Sequence, residues 1–261
     1  MTRRRWGLLA ALVLLLAAGL GRAATDRSAR ATGEAQRGVP AARDAGPPVT
    51  ARTASGPGAA ELRAGRWSAR LLRVAVLRDA PGGRAVARVG RRTDFGQPRV
   101  FAVAALRPGW VGVRAVQRPI GKLGWLPEDA VRLRPVRMTL VADLSDRELT
   151  VRVDGTVRQR APLGIGRPGS TTPVGRYGVT DRLRDNRRLS AAYGCCILAL
   201  TGHQPNPPKG WTGGTRLALH STPAADSVGQ EVSAGCLRMR EVDIRRFFTS
   251  VPRGATLTVR Q

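Results

Sequence analysis

Hydrophobic and polar residues alternate in short runs along much of the chain from residue 69 onward, and this alternation predicts β-strands. Between residues 69 and 135 it recurs in segments such as Leu72–Leu77 and Val100–Val103. Proline and glycine pairs, among them Pro81-Gly82 and Pro108-Gly109, interrupt the runs and favour tight turns. A stretch of this length and pattern suits a small β-barrel, which we predict over residues 69–135.

Residues 136–261 continue as predicted β-structure with few helices. The clearest helix candidate is Glu241–Thr249, where apolar residues recur near helical spacing, and Arg253–Val259 follows as a closing strand. The arginine-rich stretch Asp181–Arg188 predicts an exposed hairpin or lid, or simply a solvated loop. The fold class expected from these patterns is therefore mainly β.

The N-terminal part of the chain has a different composition. Residues 1–24 combine a basic start, Arg3-Arg4-Arg5, with the apolar run Trp6–Leu20 and small residues after it, which is typical of a secretory signal peptide. The run is shorter than the roughly 20 residues that a membrane-spanning helix needs. An uncleaved N-terminal anchor that tethers the protein to the membrane is the alternative. Residues 25–68 are rich in Ala, Arg, Gly and Pro without periodicity and predict a disordered linker.

The candidate chemistry lies in Ser233–Met239, which contains Cys236, and in the upstream His220. A thiol attacks as its thiolate, and a nearby imidazole is a common means of removing the proton. Leu217–Leu219 predicts the end of a buried strand that positions His220, and Gly235 allows a tight turn that exposes Cys236. The alternative, a buried structural cysteine and an unrelated surface histidine, is disfavoured by the flanking residues.

Those flanking residues, Ser-x-Gly-Cys-x-Arg-Met after an upstream histidine, resemble the active-site signature of the L,D-transpeptidase catalytic domain, the YkuD family. Three further segments are similar in the same order, Leu140–Val151, Gly166–Gly175 and Tyr193-Gly194. The resemblance runs from about residue 137 to residue 261 and implies a β-sandwich of mixed sheets. Two positions depart from the usual pattern. Many members have histidine where this chain has Ala234, and many have glycine where it has Ser221.

The resemblance implies acyl transfer on peptidoglycan stem peptides, without a cofactor or a metal ion. Cys236 would attack the carbonyl at stem position three and expel the terminal D-Ala, and an amine of a neighbouring stem would take the thioester to form a 3→3 cross-link. His220 would accept the thiol proton while the Ser221 carbonyl holds its ring. Two alternatives stay open. One is an L,D-carboxypeptidase with water as acceptor, and the other is a non-catalytic secreted wall-binding protein, which the Ala234 departure favours.

Further residues are candidates for the same site. Backbone N–H groups around Gly235 and Cys236 are the expected oxyanion donors. Arg238 is expected to position substrate or to stabilise charge near the thiolate, or alternatively to pair with Asp226 or Glu231. Ser233 is expected to hydrogen-bond within the loop. The candidates for lining the substrate cleft are Tyr193, His203 and Trp211.

Two adjacent cysteines, Cys195 and Cys196, begin an apolar run. Neighbouring cysteines rarely bridge each other because the intervening peptide would be strained, so we predict two small apolar strand residues. A bond from either one to Cys236 would remove the nucleophile, and we therefore predict that Cys236 is free. No ligand spacing typical of a zinc site is present.

The net charge of +26, from 44 basic and 18 acidic residues, favours binding to polyanions. The chain lacks the sequence signatures of nucleic-acid-binding modules, and the predicted signal directs it out of the cytoplasm, so no nucleic-acid partner is expected. Anionic wall polymers and acidic lipid headgroups are the polyanions available outside the cytoplasm. The alternative is that the abundance of arginine partly reflects GC-rich coding. Within residues 69–135, Trp110–Val113 followed by Gly124–Pro127 resembles the end of a bacterial SH3-like domain.

Overall fold

A computed structural model describes Gly58, Leu62 and residues 65–184 and 191–261. The predicted signal peptide or anchor at residues 1–24 and nearly all of the predicted linker lie outside these residues. The first strand begins at Trp67, before the predicted start of the barrel at residue 69. In the part of the chain that the structure describes, no helix is both long and apolar enough to cross a membrane.

The first sheet contains the first seven strands of the described chain. Its strands are β1 (Trp67–Leu71), β2 (Ala75–Arg78), β3 (Ala85–Val89), β4 (Val100–Arg107), β5 (Trp110–Arg114), β6 (Gly124–Pro127) and β7 (Val131–Pro135). They follow the order β3-β2-β6-β5-β4-β1-β7 with antiparallel pairing throughout. Alternate residues face a core that includes Leu77, Phe101 and Leu126. The strands agree with the alternation in the sequence, while the SH3-like assignment of this sheet stays a prediction.

The second sheet is larger and mixed. Its strands are β8 (Met138–Asp143), β9 (Glu148–Val153), β10 (Thr156–Pro162), β12 (Gly175–Arg184), β13 (Cys196–His203), β14 (Arg216–Thr222), β16 (Leu237–Arg240) and β17 (Thr256–Arg260). The order is β10-β9-β8-β17-β12-β13-β14-β16, with parallel pairing of β17 with β8 and of β14 with β16. The short strands β11 (Ile165–Gly166) and β15 (Glu231–Ser233) pair separately. The prediction of a mainly β fold with mixed sheets is confirmed.

Helix α1 (Glu241–Phe248) follows β16 directly, as the spacing of its apolar residues predicts. Ile244, Phe247 and Phe248 are buried against the core of the second sheet. On the outer face, Arg245 donates to Glu241 at 2.6 Å, a pairing one helical turn apart. The helix therefore covers the second sheet with its apolar stripe and exposes most of its charges, while the buried Asp243 pairs with Arg240 at 2.7 Å.

The prediction of an exposed hairpin or loop at Asp181–Arg188 is wrong for its first half. Strand β12 continues to Arg184, and Asp181 and Leu183 are buried. The Oδ1 atom of Asp181 accepts a hydrogen bond from the Thr93 hydroxyl in the loop between β3 and β4, a contact that local sequence does not reveal, while Oδ2 has no hydrogen-bond partner among the described residues. Residues 185–190 lie outside the described part of the chain.

Candidate active site

The neighbouring parallel strands β14 and β16 place chemically active residues on one face of the second sheet. Side chains alternate along a strand, so every second residue faces the same side. The side facing the core carries Leu217, Leu219, Leu237 and Met239. The opposite side lines a cavity of about 460 Å³ with Ala218, His220, Cys236 and Arg238. The sequence thus brings the predicted nucleophile and base to one cavity through two strands in register, with His220 opposite Arg238.

Cys236 is a partly buried residue in the turn between β15 and β16, and its thiol is not in a disulfide. The sulfur is 3.9 Å from the carbonyl oxygen of Arg216, to which the thiol can donate. The backbone N–H of Ala218 donates a hydrogen bond to the sulfur and so favours its thiolate form. The sulfur is therefore held against strand β14, where the Arg216 carbonyl can accept from the thiol and the Ala218 N–H favours the thiolate.

His220 is buried on strand β14 and lines the same cavity as Cys236. Its Nδ1 lies 2.6 Å from the carbonyl oxygen of Ser221, the contact that the resemblance implies. Because a carbonyl only accepts, Nδ1 carries the proton and Nε2 keeps a lone pair for the thiol proton. The Tyr193 ring packs edge-on against the imidazole, with centroids 4.7 Å apart. The ring is thus fixed in the tautomer that a general base requires.

Burial controls the protonation of both groups. Desolvation lowers the pKa of His220 to about 4, aided by the positive charge of Arg238 and opposed by the Ser221 carbonyl. Desolvation raises the pKa of the Cys236 thiol, opposed by the Ala218 N–H and by Arg238. Both groups are therefore neutral near pH 7. In this state the sulfur keeps its own proton and the imidazole Nε2 is free to accept one.

This protonation state predicts an unusual pH profile. A base with its pKa lowered to about 4 stays unprotonated at acidic pH. We therefore expect kcat/KM to persist between pH 7 and about 5, across the range where an ordinary imidazole with a pKa of about 6.5 is protonated. Alkylation of Cys236 by iodoacetamide should keep rising with pH beyond the range in which an exposed thiol ionises. An acidic limb near 6.5 would contradict the neutral pair.

Ser233 and Gly235 shape the turn that carries the nucleophile. The Ser233 hydroxyl donates to the Cys236 carbonyl at 2.6 Å and accepts the Gly235 N–H at 3.0 Å, as expected for a residue that hydrogen-bonds within the loop. The Gly235 N–H is engaged by this bond, so the oxyanion role predicted for it is not supported. Gly235 itself has φ +115°, and a Cβ there would lie 2.1 Å from the Gln204 side chain. Only glycine fits this position.

Gln204, which the sequence analysis did not single out, joins the nucleophile turn to the Gly166–Gly175 loop. Its buried amide nitrogen lies 3.1 Å from the carbonyl oxygens of both Ser170 and Thr171 and 3.2 Å from that of Ala234. Ala234 therefore contributes its backbone carbonyl to this contact, which does not depend on the identity of its side chain. A buried glutamine in a proline-rich loop gives little local signal, because its acceptors are distant in sequence.

The backbone carbonyl of Ser221 holds the His220 ring, as predicted, and the residue is not among those that line the cavity. Its side chain is fully buried, donates to the Tyr193 carbonyl at 3.1 Å and accepts the Cys196 N–H at 3.1 Å. The hydroxyl thus holds the Tyr193–Cys196 turn, while the carbonyl holds the imidazole. Only the carbonyl of Ser221 acts directly on a cavity residue.

Arg238 lines the cavity, and its buried Nε has no hydrogen-bond partner within the described ranges. The alternative pairing with Glu231 is wrong, because that carboxylate binds Arg147 at 2.8 Å. No ion pair joins Arg238 to Asp226 in the residues that the structure covers. Arg238 therefore brings a positive charge to the cavity wall, and its buried Nε–H is a donor without a protein partner.

Two of the three predicted cleft residues line the cavity, and the third does not. Tyr193 and Trp211 line the cavity. His203 is exposed at the end of β13, where its Nδ1 lies 2.9 Å from the Thr215 hydroxyl, and it is not among the lining residues. The cleft role considered for His203 is thus not supported, and its alternative as an exposed histidine fits.

The prediction for the adjacent cysteines is wrong. A disulfide joins Cys195 to Cys196. Only Cys196 belongs to strand β13, whereas Cys195 lies in the preceding turn after Gly194, whose φ is +60°. In a regular strand the two side chains would face opposite sides, and the turn removes that obstacle. The predicted free state of Cys236 agrees with the structure. Among the residues described, no cluster of three or more His, Cys, Asp or Glu is placed to hold a metal ion.

The family comparison covers the part of the chain that contains Cys236 and His220. Residues 137–259 match the sequence model of the L,D-transpeptidase catalytic domain, YkuD. The ErfK/SrfK protein of Salmonella typhimurium, named a probable L,D-transpeptidase, is 29% identical over 147 residues, which are 51% of this chain and 48% of that protein. The YbiS protein of Escherichia coli, also named a probable L,D-transpeptidase, is 31% identical over 105 residues, 36% of this chain and 34% of that protein.

The chain therefore spans about half or less of the length of these two relatives. The crystal structure of L,D-transpeptidase 3 from Mycobacterium tuberculosis is similar over 53% of this chain and 74% of that chain, with 20% identity and a TM-score of 0.39. The resemblance inferred from the residues is thus supported by the family match, in which residues 137–259 are similar to the L,D-transpeptidase catalytic domain, YkuD.

Proposed function

We propose that this protein is a peptidoglycan L,D-transpeptidase that forms 3→3 cross-links through a thioester on Cys236. The main support for the proposal is a free cysteine and a histidine whose Nδ1 is held by the Ser221 carbonyl, both on one cavity wall and within the segment that matches the catalytic domain. Neither residue alone would be specific, because buried cysteines and histidines are common in cores.

The cavity geometry supports the following sequence of steps. His220 Nε2 takes the Cys236 proton as the sulfur attacks the carbonyl at stem position three, and the protonated imidazole then delivers that proton to the departing D-Ala amine. The amine of a second stem peptide attacks the thioester, gives up a proton to His220 and releases the thiol. The unpartnered Arg238 guanidinium is suited to hold negative charge that develops near the sulfur, since the Gly235 N–H is already engaged.

The decisive experiment incubates the purified protein with disaccharide-tetrapeptide muropeptides and identifies the products by mass. Cross-linked dimers that lack one D-Ala support the transpeptidase. Tripeptide monomers alone would assign the L,D-carboxypeptidase alternative, with water as the acceptor. Unchanged substrate would overturn both and leave the secreted wall-binding protein.

We also propose that the protein is exported to the cell envelope, with residues 1–24 as its signal peptide or anchor and the residues between 25 and the start of β1 at Trp67 as a linker. The composition of both segments supports this location. The N-terminal sequence of protein recovered from the cell envelope separates the two forms: a start after residue 24 means cleavage, and an intact start means a membrane tether.

A basic groove on the first sheet supports anionic wall polymers as a second partner. Four arginines, Arg70, Arg91, Arg92 and Arg132, line a groove of about 670 Å³ together with Leu71, Leu72, Gly90 and Pro98. No acidic side chain lines this groove to compensate the four charges.

We expect the Arg91→Gln/Arg132→Gln double variant to bind a phosphate-rich wall polymer at least about threefold more weakly than wild type in low salt. The exposed Arg107, outside the groove, provides the control as Arg107→Gln. Binding is measured by co-sedimentation with purified walls over a range of salt concentrations. Equal loss in the control, or equally tight binding of duplex DNA, would show that net charge alone is responsible.

A further inference from the structure

The loop between β3 and β4 forms a compact hairpin that projects from the first sheet. Arg92 and Pro98 pair across its base, and the Thr93 N–H donates to the Gln97 carbonyl at 2.8 Å. The Gly96 N–H closes the tip by donating to the Thr93 carbonyl at 2.9 Å, with Gly96 at φ +76°. Its own hydrogen bonds therefore fix the shape of this hairpin, which we call the 92–98 hairpin.

The 92–98 hairpin binds strand β12 of the second sheet through side chains that pair with its backbone. The Gln97 amide donates to the Arg182 carbonyl at 2.5 Å and accepts the Arg182 N–H at 3.3 Å, so it pairs with β12 as another strand would. Arg253 donates to the same amide oxygen at 3.0 Å. The Thr93 hydroxyl donates to the buried Asp181 carboxylate. Two anchors, Thr93 and Gln97, thus hold the hairpin on both sides of its tip.

The two sheets also touch closely beside these anchors. A Cβ at Gly178 of β12 would lie 3.0 Å from the Ala102 side chain of β4. A Cβ at Gly254 would have even less room, because it would lie 2.5 Å from the Ser68 side chain. Close packing of this kind fixes the position of the 92–98 hairpin relative to β12.

Phe95 occupies the tip of the hairpin, and its side chain lines the cavity that contains Cys236 and His220. It is 38% exposed, and Trp211, 46% exposed, lines the same cavity. The first sheet therefore contributes one aromatic wall residue to a site whose reacting groups all belong to the second sheet. The proposed reaction steps do not involve this ring. Its position in the cavity wall favours a contact with the substrate.

We propose that Phe95 is a specificity-determining residue that packs against the aliphatic part of the acyl-donor stem peptide. This inference rests on the proposed function. An aromatic ring at a cavity rim gives up little conformational freedom when a ligand covers it, and its contact gains energy through burial of apolar surface. Because the 92–98 hairpin belongs to the first sheet, that sheet then takes part in choosing the donor.

The test compares Phe95→Ala, Phe95→Leu and Val76→Ala in the full-length protein. Val76 is the matched control, since it is an apolar residue of the same sheet with the same 38% exposure and lies outside the cavity. We expect Phe95→Ala to raise the KM for the tetrapeptide donor about three- to tenfold with kcat little changed. Phe95→Leu should recover most of the loss, and Val76→Ala should match wild type.

A second variant, Gln97→Ala, addresses the anchoring. It removes the amide that pairs with Arg182 and should raise the donor KM in the same direction, although Gln97 is not among the residues that line the cavity. The rate of Cys236 alkylation by iodoacetamide should stay within about twofold of wild type in all four variants, because a small reagent does not need the aromatic wall. Thermal unfolding of each variant verifies that it is folded.

The outcomes separate the two proposals. Wild-type turnover with an unchanged donor KM in Phe95→Ala overturns this inference alone. A change in kcat and alkylation without a change in KM also overturns it, because that pattern indicates damage to the site and not lost substrate contact. A wild-type protein without any product that depends on Cys236 overturns the proposed function, and this inference falls with it.

Discussion

Cys236→Ala should reduce the formation of both cross-linked and trimmed muropeptides by at least about a thousandfold, to the level seen without protein. The thiol is the group placed to form the acyl intermediate, and the neighbouring Ser233 hydroxyl cannot replace it. That hydroxyl is buried and engaged with both Cys236 and Gly235. Product analysis by mass spectrometry measures the effect.

The control for this variant follows from the disulfide. Because Cys195 and Cys196 are joined, iodoacetamide should add a single label to the native wild type and none to Cys236→Ala. Labelling also verifies that the variant differs from wild type at one reactive position only. Product formation within tenfold of wild type by the unlabelled variant would remove Cys236 from the mechanism.

The second large effect is expected for His220→Ala, which should lower kcat/KM about a hundred- to ten-thousandfold. The raised pKa of the Cys236 thiol leaves little thiolate at neutral pH, so attack depends on a base that accepts the proton. In the variant, the remaining activity should rise with pH, because hydroxide then has to produce the thiolate. A full pH profile of kcat/KM for both proteins measures this difference.

The chain provides its own matched control for His220. It contains only two histidines, and His203 is exposed and is not among the residues that line the cavity. His203→Ala should therefore keep wild-type kinetics. The Cys236→Ala/His220→Ala double variant should be no worse than Cys236→Ala alone, since the two residues act as a unit. Additive losses would mean that the imidazole does not serve the thiol.

The local pattern of the sequence predicts much of this site because it depends on strand alternation. Leu217 and Leu219 face the core, so His220 must face the other way, and the same alternation on β16 places Arg238 beside it. Helix α1 follows its apolar spacing in the same manner. These features require only the period of a strand or a helix, which is visible in a few consecutive residues.

The features that the sequence did not reveal depend on partners far away along the chain. Gln204 reaches Ala234 across 30 positions, and Thr93 reaches Asp181 across 88. The engagement of the Gly235 N–H by Ser233 is local, yet it depends on a side-chain rotamer that residue types alone do not fix. The Cys195–Cys196 bond likewise depends on where the turn before β13 ends. Long-range contacts and exact backbone turns are therefore what the structure adds.

The contact between Thr93 and Asp181 has a consequence for how the chain can be divided. A fragment that begins at residue 137, where the family match starts, would lose the hydroxyl donor of Asp181 and expose the glycine surface of β12 that covers Ala102. The boundary of sequence similarity is thus not the boundary of the compact unit, which includes the strands from Trp67 onward.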